Sequence, residues 1–198
     1  MQDIFKLFNK TQFFKSATML SQCPAQSTAE VAIIGRSNTG KSSFINVICN
    51  QKSLCRVGKT PGRTQHINFF NIIDNWFIVD LPGFGFAKIS KKLQQAWHKE
   101  LNNYLKKRDA LKAVFIIVDI RRDLTPDDED IIKMAIEYNL LPVIILNKAD
   151  KISKSAAKNQ LMIHQKHYNN EVPCFIFSAT KKQGIDAVLE KFYNILVN

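Results

Sequence analysis

A chain of 198 residues with 28 Lys plus Arg against 17 Asp plus Glu carries a formal charge of +11, more than solubility requires, and so points to a polyanionic partner. The length suits one domain that buries about 70% of its unfolded surface without staples. Cys23, Cys49, Cys55 and Cys174 form no C-x-x-C pair and have no His at ligand spacing, which excludes zinc and dithiol motifs and reads as free thiols of a reducing cytosol.

Residues 1–28 place Ile4, Phe5, Leu7 and Phe8, then Phe13, Phe14, Met19 and Leu20, at spacings partly compatible with one helical face. An N-terminal extension packed on the core is expected, with a membrane-surface helix as the alternative. Lys6, Lys10 and Lys15 interrupt any signal-peptide core, and the apolar runs 113–118 and 140–146 are too short to cross a bilayer. The expected location is therefore cytoplasmic.

The domain proper is expected over residues 29–198. Val31 to Ile34 is a β-branched run that reads as a buried strand. It leads into Gly35, Arg36, Ser37, Asn38, Thr39, Gly40, Lys41 and Ser42, which have the spacing G-x-x-x-x-G-K-S, and then into an apolar run, 44–48, that continues as a helix. The glycines let backbone N–H groups turn inward, and the helix N-terminus adds unpaired donors and partial positive charge. A polyphosphate fits this cradle, with Lys41 on its outer phosphates and the Ser42 hydroxyl on Mg²⁺.

Residues 50–66 are polar and rich in turn formers, so a loop is expected. Two strand-like runs, 67–73 and 76–81, flank Asp74-Asn75 and predict an antiparallel hairpin. Leu93, Trp97, Leu101 and Leu105 recur every four residues within an amphipathic helix over 90–107, whose other face is basic. A strand over 113–119 precedes Pro126 and an acidic first turn, the signature of a helix start. A strand over 142–146, a helix over 153–168, a strand over 173–177 and a helix over 184–197 complete the alternation. It predicts a three-layer α/β domain with a mostly parallel, six-stranded sheet, one antiparallel edge strand and ligand loops at the strand ends.

Three of those loops suit a bound nucleotide. Asp80, Leu81, Pro82 and Gly83 place a carboxylate where it can hold Mg²⁺ through water, and a glycine N–H where it can meet a γ-phosphate. Asn147, Lys148, Ala149 and Asp150 supply what guanine needs. Asp150 can accept two parallel hydrogen bonds from N1–H and the exocyclic amine, whereas adenine would present it with an acceptor nitrogen. Such a mismatch is rejected by roughly 10⁴-fold. The Lys148 stem would cover the base and Asn147 would tie this loop to the cradle. Finally, a backbone N–H from Ser178, Ala179 or Thr180 could reach the guanine carbonyl.

These motifs in this order resemble the translation-factor-related GTPases from Glu30 to the C-terminus. More narrowly, Gly35–Ser43, Lys59–Gln65, Asp80–Ala87 and Asp119-Ile-Arg121 resemble the EngB family, also called YihA or YsxC. The resemblance implies a Ras-like fold and GTP hydrolysis, with roles in assembly of the large ribosomal subunit and in normal division and septation. It implies that Thr64 joins Ser42 on Mg²⁺, that Gly62, Arg63, Thr64, Gln65 and His66 line the nucleotide, and that Lys41, Thr64 and Gly83 carry catalysis. Partners would be GTP or GDP, the large subunit and its RNA, and the chain a monomer. The basic residues cluster as Arg56, Lys59 and Arg63, then Lys88, Lys91, Lys92 and Lys99, then Lys106, Lys107 and Arg108; any one cluster reads as a solvated helix face, while the chain as a whole is expected to contact RNA or a ribonucleoprotein. Asn147 and Phe84 depart from the family's usual Thr and Tyr, as does Phe86.

Many GTPases orient the attacking water with a Gln just after the D-x-x-G glycine; here that position is Phe84. Slow turnover is expected unless a partner or a second cation helps. Asn38 resembles the asparagine with which some GTPases hold K⁺ at the bridging oxygens.

Overall fold

The strand that feeds the cradle, β2 (Ala29–Gly35), is buried along its whole length and lies in the middle of a seven-stranded sheet. The structure is a computed structural model and describes residues 2–55, 66–84 and 91–198, the side chains of 91–97 excepted. Parallel to β2 run β4 (Trp76–Asp80) on one side and β5 (Leu111–Asp119) on the other, followed outward by β6 (Leu141–Asn147) and β7 (Cys174–Ile176). On the far side of β4, β3 (Ile67–Ile73) runs antiparallel to it, and β1 (Gln12–Ala17) runs antiparallel to β3. The order is β1-β3-β4-β2-β5-β6-β7.

The near-continuous apolar runs of β2, β5 and β6 have the composition of strands covered on both faces. On one face, α1 (Gln2–Asn9), α2 (Lys41–Ile48) and α6 (Ile185–Val197) bring Phe8, Phe44, Ile45 and Phe192 against Ile33 and Phe115. On the other, Leu101 and Leu105 of α3 (Lys91–Lys107), Ile131 of α4 (Pro126–Glu137) and Ala157 of α5 (Lys154–His167) cover Ile34, Val79 and Ile116. Among the described residues, no helix is long and apolar enough to cross a membrane.

The local signals form as the residues dictate. Asp74 and Asn75 both take left-handed φ, 45° and 64°, as a tight two-residue hairpin turn demands. At α4, Thr125 caps the helix in a reciprocal box with Asp128, and Pro126 opens the first turn.

Two expectations change. The sheet has seven strands rather than six, because residues 12–17 extend instead of continuing a helix. Pairing with the outer edge of β3 satisfies backbone groups that would otherwise be bare, and this overrides a weak helical spacing. Arg108, expected in a solvent-facing basic cluster, instead turns inward. Its guanidinium binds Glu30, which is fully buried, with Nε 3.0 Å from both carboxylate oxygens, and donates to Pro24 O at 2.6 Å. Tyr104 OH completes the set, donating to Glu30 Oε2 at 2.7 Å.

The C-terminal ends of β2, β4, β5 and β6 carry Gly35, Asp80, Asp119 and Asn147 to one rim. The chain leaves β2 for α2 on one face and β5 for α4 on the other. The rim between these strands is the switch point where such sheets bind ligands.

Candidate functional site

The cradle turns on residues that tolerate unusual backbone. Gly40 has φ 97°, and a Cβ there would lie 2.4 Å from Asn147 Nδ2, so both conformation and space require glycine. Asn38 also takes a left-handed φ of 65°. The loop is braced by Thr39, whose N–H and hydroxyl both donate to Arg36 O, at 3.2 and 2.9 Å. Phe44 N–H donates to Gly40 O at 2.8 Å and starts α2.

Lys41 forms an ion pair with Asp80, so the expected phosphate cation and the expected Mg²⁺ carboxylate stand side by side, both largely buried. Cys55 also meets this pair, which the sequence did not signal. Its Sγ donates to Asp80 Oδ2 at 3.5 Å, and the Ser42 side chain is close enough to pull its pKa down against the larger effect of burial. Asn46 clamps the cysteine backbone, donating to Cys55 O at 2.8 Å and accepting from Cys55 N–H at 2.7 Å. Burial and the Asp80 charge push the thiol up to about 12, so it stays protonated. The Ser42 hydroxyl and the Asp80 carboxylate both lie beside this thiol. These hard oxygen donors fit Mg²⁺.

The base loop is fastened to the cradle at two points. Asn147 Nδ2 donates to Thr39 O at 2.9 Å, the tie read from the sequence, while its Oδ1 is buried with no partner among the described residues. Lys148, itself at φ 64°, donates from Nζ to Asn38 O at 2.5 Å and pairs with Asp119 Oδ2 at 3.0 Å. Asp119 is gripped in turn by Arg121, from Nε at 2.9 Å and from the terminal guanidinium at 2.7 Å. This grip, with Lys148 beside it, holds the Asp119 carboxyl well below the usual carboxylate range. A cleft of about 270 Å³ opens beside the cradle, between Arg36, Asn38, Asp119, Arg121, Asp128 and Lys148.

Asp150 accepts from the buried Ser178 hydroxyl at 2.6 Å and pairs with Lys151 at 3.2 Å. The hydroxyl bond, more than the lysine, lowers its pKa and keeps it an acceptor. Sequence reasoning expected only a backbone donor from this last loop. The structure assigns the Ser178 N–H to Gln183 O at 3.1 Å, which leaves the N–H groups of Ala179 and Thr180 for a carbonyl guest. The Ser178 side chain meets Asp150 instead.

Leu81 N–H donates to Ile33 O at 3.0 Å and Ser37 N–H to Phe84 O at 3.1 Å, so the segment around Pro82 and Gly83 runs against the cradle. The Phe84 ring is buried in the core. Gly62, Arg63, Thr64 and Gln65, and the cluster Arg56, Lys59 and Arg63, lie outside the described residues. So do Phe86 and Lys88, and the side chains of Lys91 and Lys92. His66 is described and exposed.

A phosphate cradle at the switch point of a doubly wound sheet, with an N-K-x-D loop tied to it through Asn147 and Lys148, defines a P-loop GTPase domain. Residues 30–148 match the family described as 50S ribosome-binding GTPase. The chain is 41% identical over 187 residues to the probable GTP-binding protein EngB of Salmonella paratyphi B, covering 93% of this chain and 89% of that one. The EngB protein of Salmonella typhimurium matches to the same extent. The chain belongs to the EngB family of GTP-binding proteins. In fold it is similar to the crystal structure of a probable GTP-binding protein EngB, with TM-score 0.69 and 24% identity over 85% of this chain and 98% of that one. It is also similar to an Aquifex aeolicus Era variant bound to GDP·AlF4⁻, with TM-score 0.63 and 23% identity over 84% of this chain and 56% of that one.

Proposed function

We propose that this GTPase works as a switch in assembly of the large ribosomal subunit, in the cytoplasm and as a monomer, and that its loss disturbs division and septation. One observation carries the nucleotide reading: the guanine-type loop is hydrogen-bonded to the phosphate cradle through Asn147 and Thr39, so base and phosphates are read by one connected unit. Membership in a family described as 50S ribosome-binding GTPases, together with the +11 charge, supports the ribosomal partner.

In this reading Lys41 exchanges Asp80 for the β- and γ-phosphates. Ser42, Thr64 and Asp80 would hold Mg²⁺, Asp80 through water, and the bound ion would supply charge neutralisation on the phosphates. Asp150 accepts from the guanine edge while Lys148 lies over the ring. The γ-phosphate draws in Thr64 and the Gly83 N–H, so GTP orders both loops and hydrolysis releases them. A phenyl ring at position 84 cannot orient water, so isolated turnover is slow, and K⁺ at Asn38 or the ribosomal partner accelerates it.

The test is co-sedimentation with large ribosomal subunits, using protein loaded with a non-hydrolysable GTP analogue, with GDP, or with nothing, across a salt series. Binding that needs the analogue and weakens with salt is expected. Absence of binding in every state would overturn the reading in favour of a nucleotide-stabilised scaffold at membranes or the division site.

A further inference from the structure

We propose that the β1 edge of the sheet is a binding surface for unpaired RNA, with Phe13 and Phe14 of β1 each offering a ring on which a base stacks. Both rings are more than half exposed, at 54% and 55%. Each is nonetheless held from behind: Phe13 meets Phe70 edge-on at 5.8 Å, and Phe14 meets Phe77 at 5.3 Å. Phe70 and Phe77 belong to the two opposite cores, so the rings flank the edge, one on each face. A ring fixed on one side and open on the other loses little rotamer freedom when a base covers it.

The surroundings choose among occupants. The outer strands Gln12–Ala17 and Ile67–Ile73 hold Lys15 and no carboxylate, and the exposed Lys10 lies two residues before β1. A polyanion fits that charge. The pairing of β1 slips between Phe13 and Lys15, and a lysine sits mid-strand; both features discourage a further protein strand from adding to an edge. Lysines alone would suit any phosphate backbone. Paired aromatics beside them favour bases that are free to leave a helix, as in loops and single strands. The exposed Gln12 amide can serve base edges.

RNA binding at this edge stands by itself, but the ribosomal origin of that RNA rests on the proposed function. The full chain, saturated with GDP, is titrated against a fluorescently labelled, unstructured oligoribonucleotide and against an RNA duplex of equal length. The wild type is expected to prefer the unpaired RNA. Phe13→Leu with Phe14→Leu keeps apolar contact with Phe70 and Phe77 but removes the rings, and should weaken binding at least tenfold with GDP affinity and melting temperature unchanged. Phe13→Trp with Phe14→Trp should restore it, and Lys10→Ala with Lys15→Ala should flatten the salt dependence. Equal binding by wild type and the leucine pair would overturn the proposal. So would ring-dependent self-association, or ring-dependent binding to anionic phospholipid vesicles, in place of RNA binding. Ring-dependent oligonucleotide binding without association with ribosomal particles would support the edge and overturn the ribosomal reading. Association with particles that ignores the rings, without oligonucleotide binding, would do the reverse.

Discussion

Lys148 Nζ lies 3.0 Å from Asp119 Oδ2 while donating to Asn38 O, so a carboxylate on β5 aims the lysine of the β6 loop at the phosphate cradle. Arg121 holds that carboxylate from the other side. The N-K-x-D loop and the cradle are thus joined by a chain of charge-assisted bonds that leaves the Lys148 side chain little freedom.

Asp119→Asn weakens the grip of both Arg121 and Lys148 while keeping the shape. Release of a fluorescent GDP, followed by stopped flow, should accelerate about tenfold, the value of one charge-assisted bond. The double variant Asp119→Asn with Lys148→Ala should add little to Lys148→Ala alone. Full additivity would mean that Asp119 does not act through the lysine.

Asp150 should give the guanine site a distinctive acid limb. Its pKa is lowered by the Ser178 hydroxyl, so the stabilisation from that bond is complete above the unfolded value near 3.9 and is lost as pH falls through the lower folded value. Ser178→Ala should move the acid midpoint of GDP binding upward, read by fluorescence titration between pH 3 and pH 6. Asp150→Asn replaces an acceptor by a donor and should cut GTP affinity by roughly 10³-fold or more while admitting a xanthine nucleotide.

The sequence disclosed the parts of the site that are local. The cradle, the N-K-x-D loop and the Asp74-Asn75 hairpin each depend on residues a few positions apart, so spacing alone reveals them. What stayed hidden was pairing at long range. Phe13 and Phe14 gave an ambiguous short apolar run because the partner that makes it a strand, β3, comes more than 50 residues later. Arg108 looked like one more surface cation because nothing nearby announces Glu30, 78 residues away. The Ser178 hydroxyl on Asp150 and the Cys55 thiol on Asp80 were equally silent, since each bond joins separate loops.

Glu30 and Arg108 make a prediction about stability. Removing one partner leaves a buried charge without compensation, which costs about 3–5 kcal/mol. Glu30→Gln should therefore lower the urea midpoint markedly, because Arg108 and Tyr104 OH both lose an anionic acceptor. Arg108→Met combined with Glu30→Gln should recover part of the loss. No recovery would mean that the bond from Arg108 to Pro24 O, rather than the ion pair, fastens the N-terminal segment.

Asn38 and Phe84 together predict how turnover depends on monovalent ions. Position 84 offers no water-orienting side chain, since its ring is buried in the core and its carbonyl is engaged by Ser37 N–H. Under the proposed function, charge that builds on the bridging oxygens would call for a cation from elsewhere, and the exposed Asn38 of the cradle would be its ligand. GTP hydrolysis in K⁺ should exceed that in Na⁺ at equal ionic strength by about tenfold or more, and Asn38→Gly, which keeps the left-handed backbone while removing the side-chain oxygen, should abolish the difference. K⁺ has the larger radius, so only a site that coordinates the ion would favour it, whereas general screening would treat the two salts alike. Equal rates in both salts would leave stimulation to a ribosomal partner, and adding large subunits to the same assay would then show the acceleration that K⁺ did not.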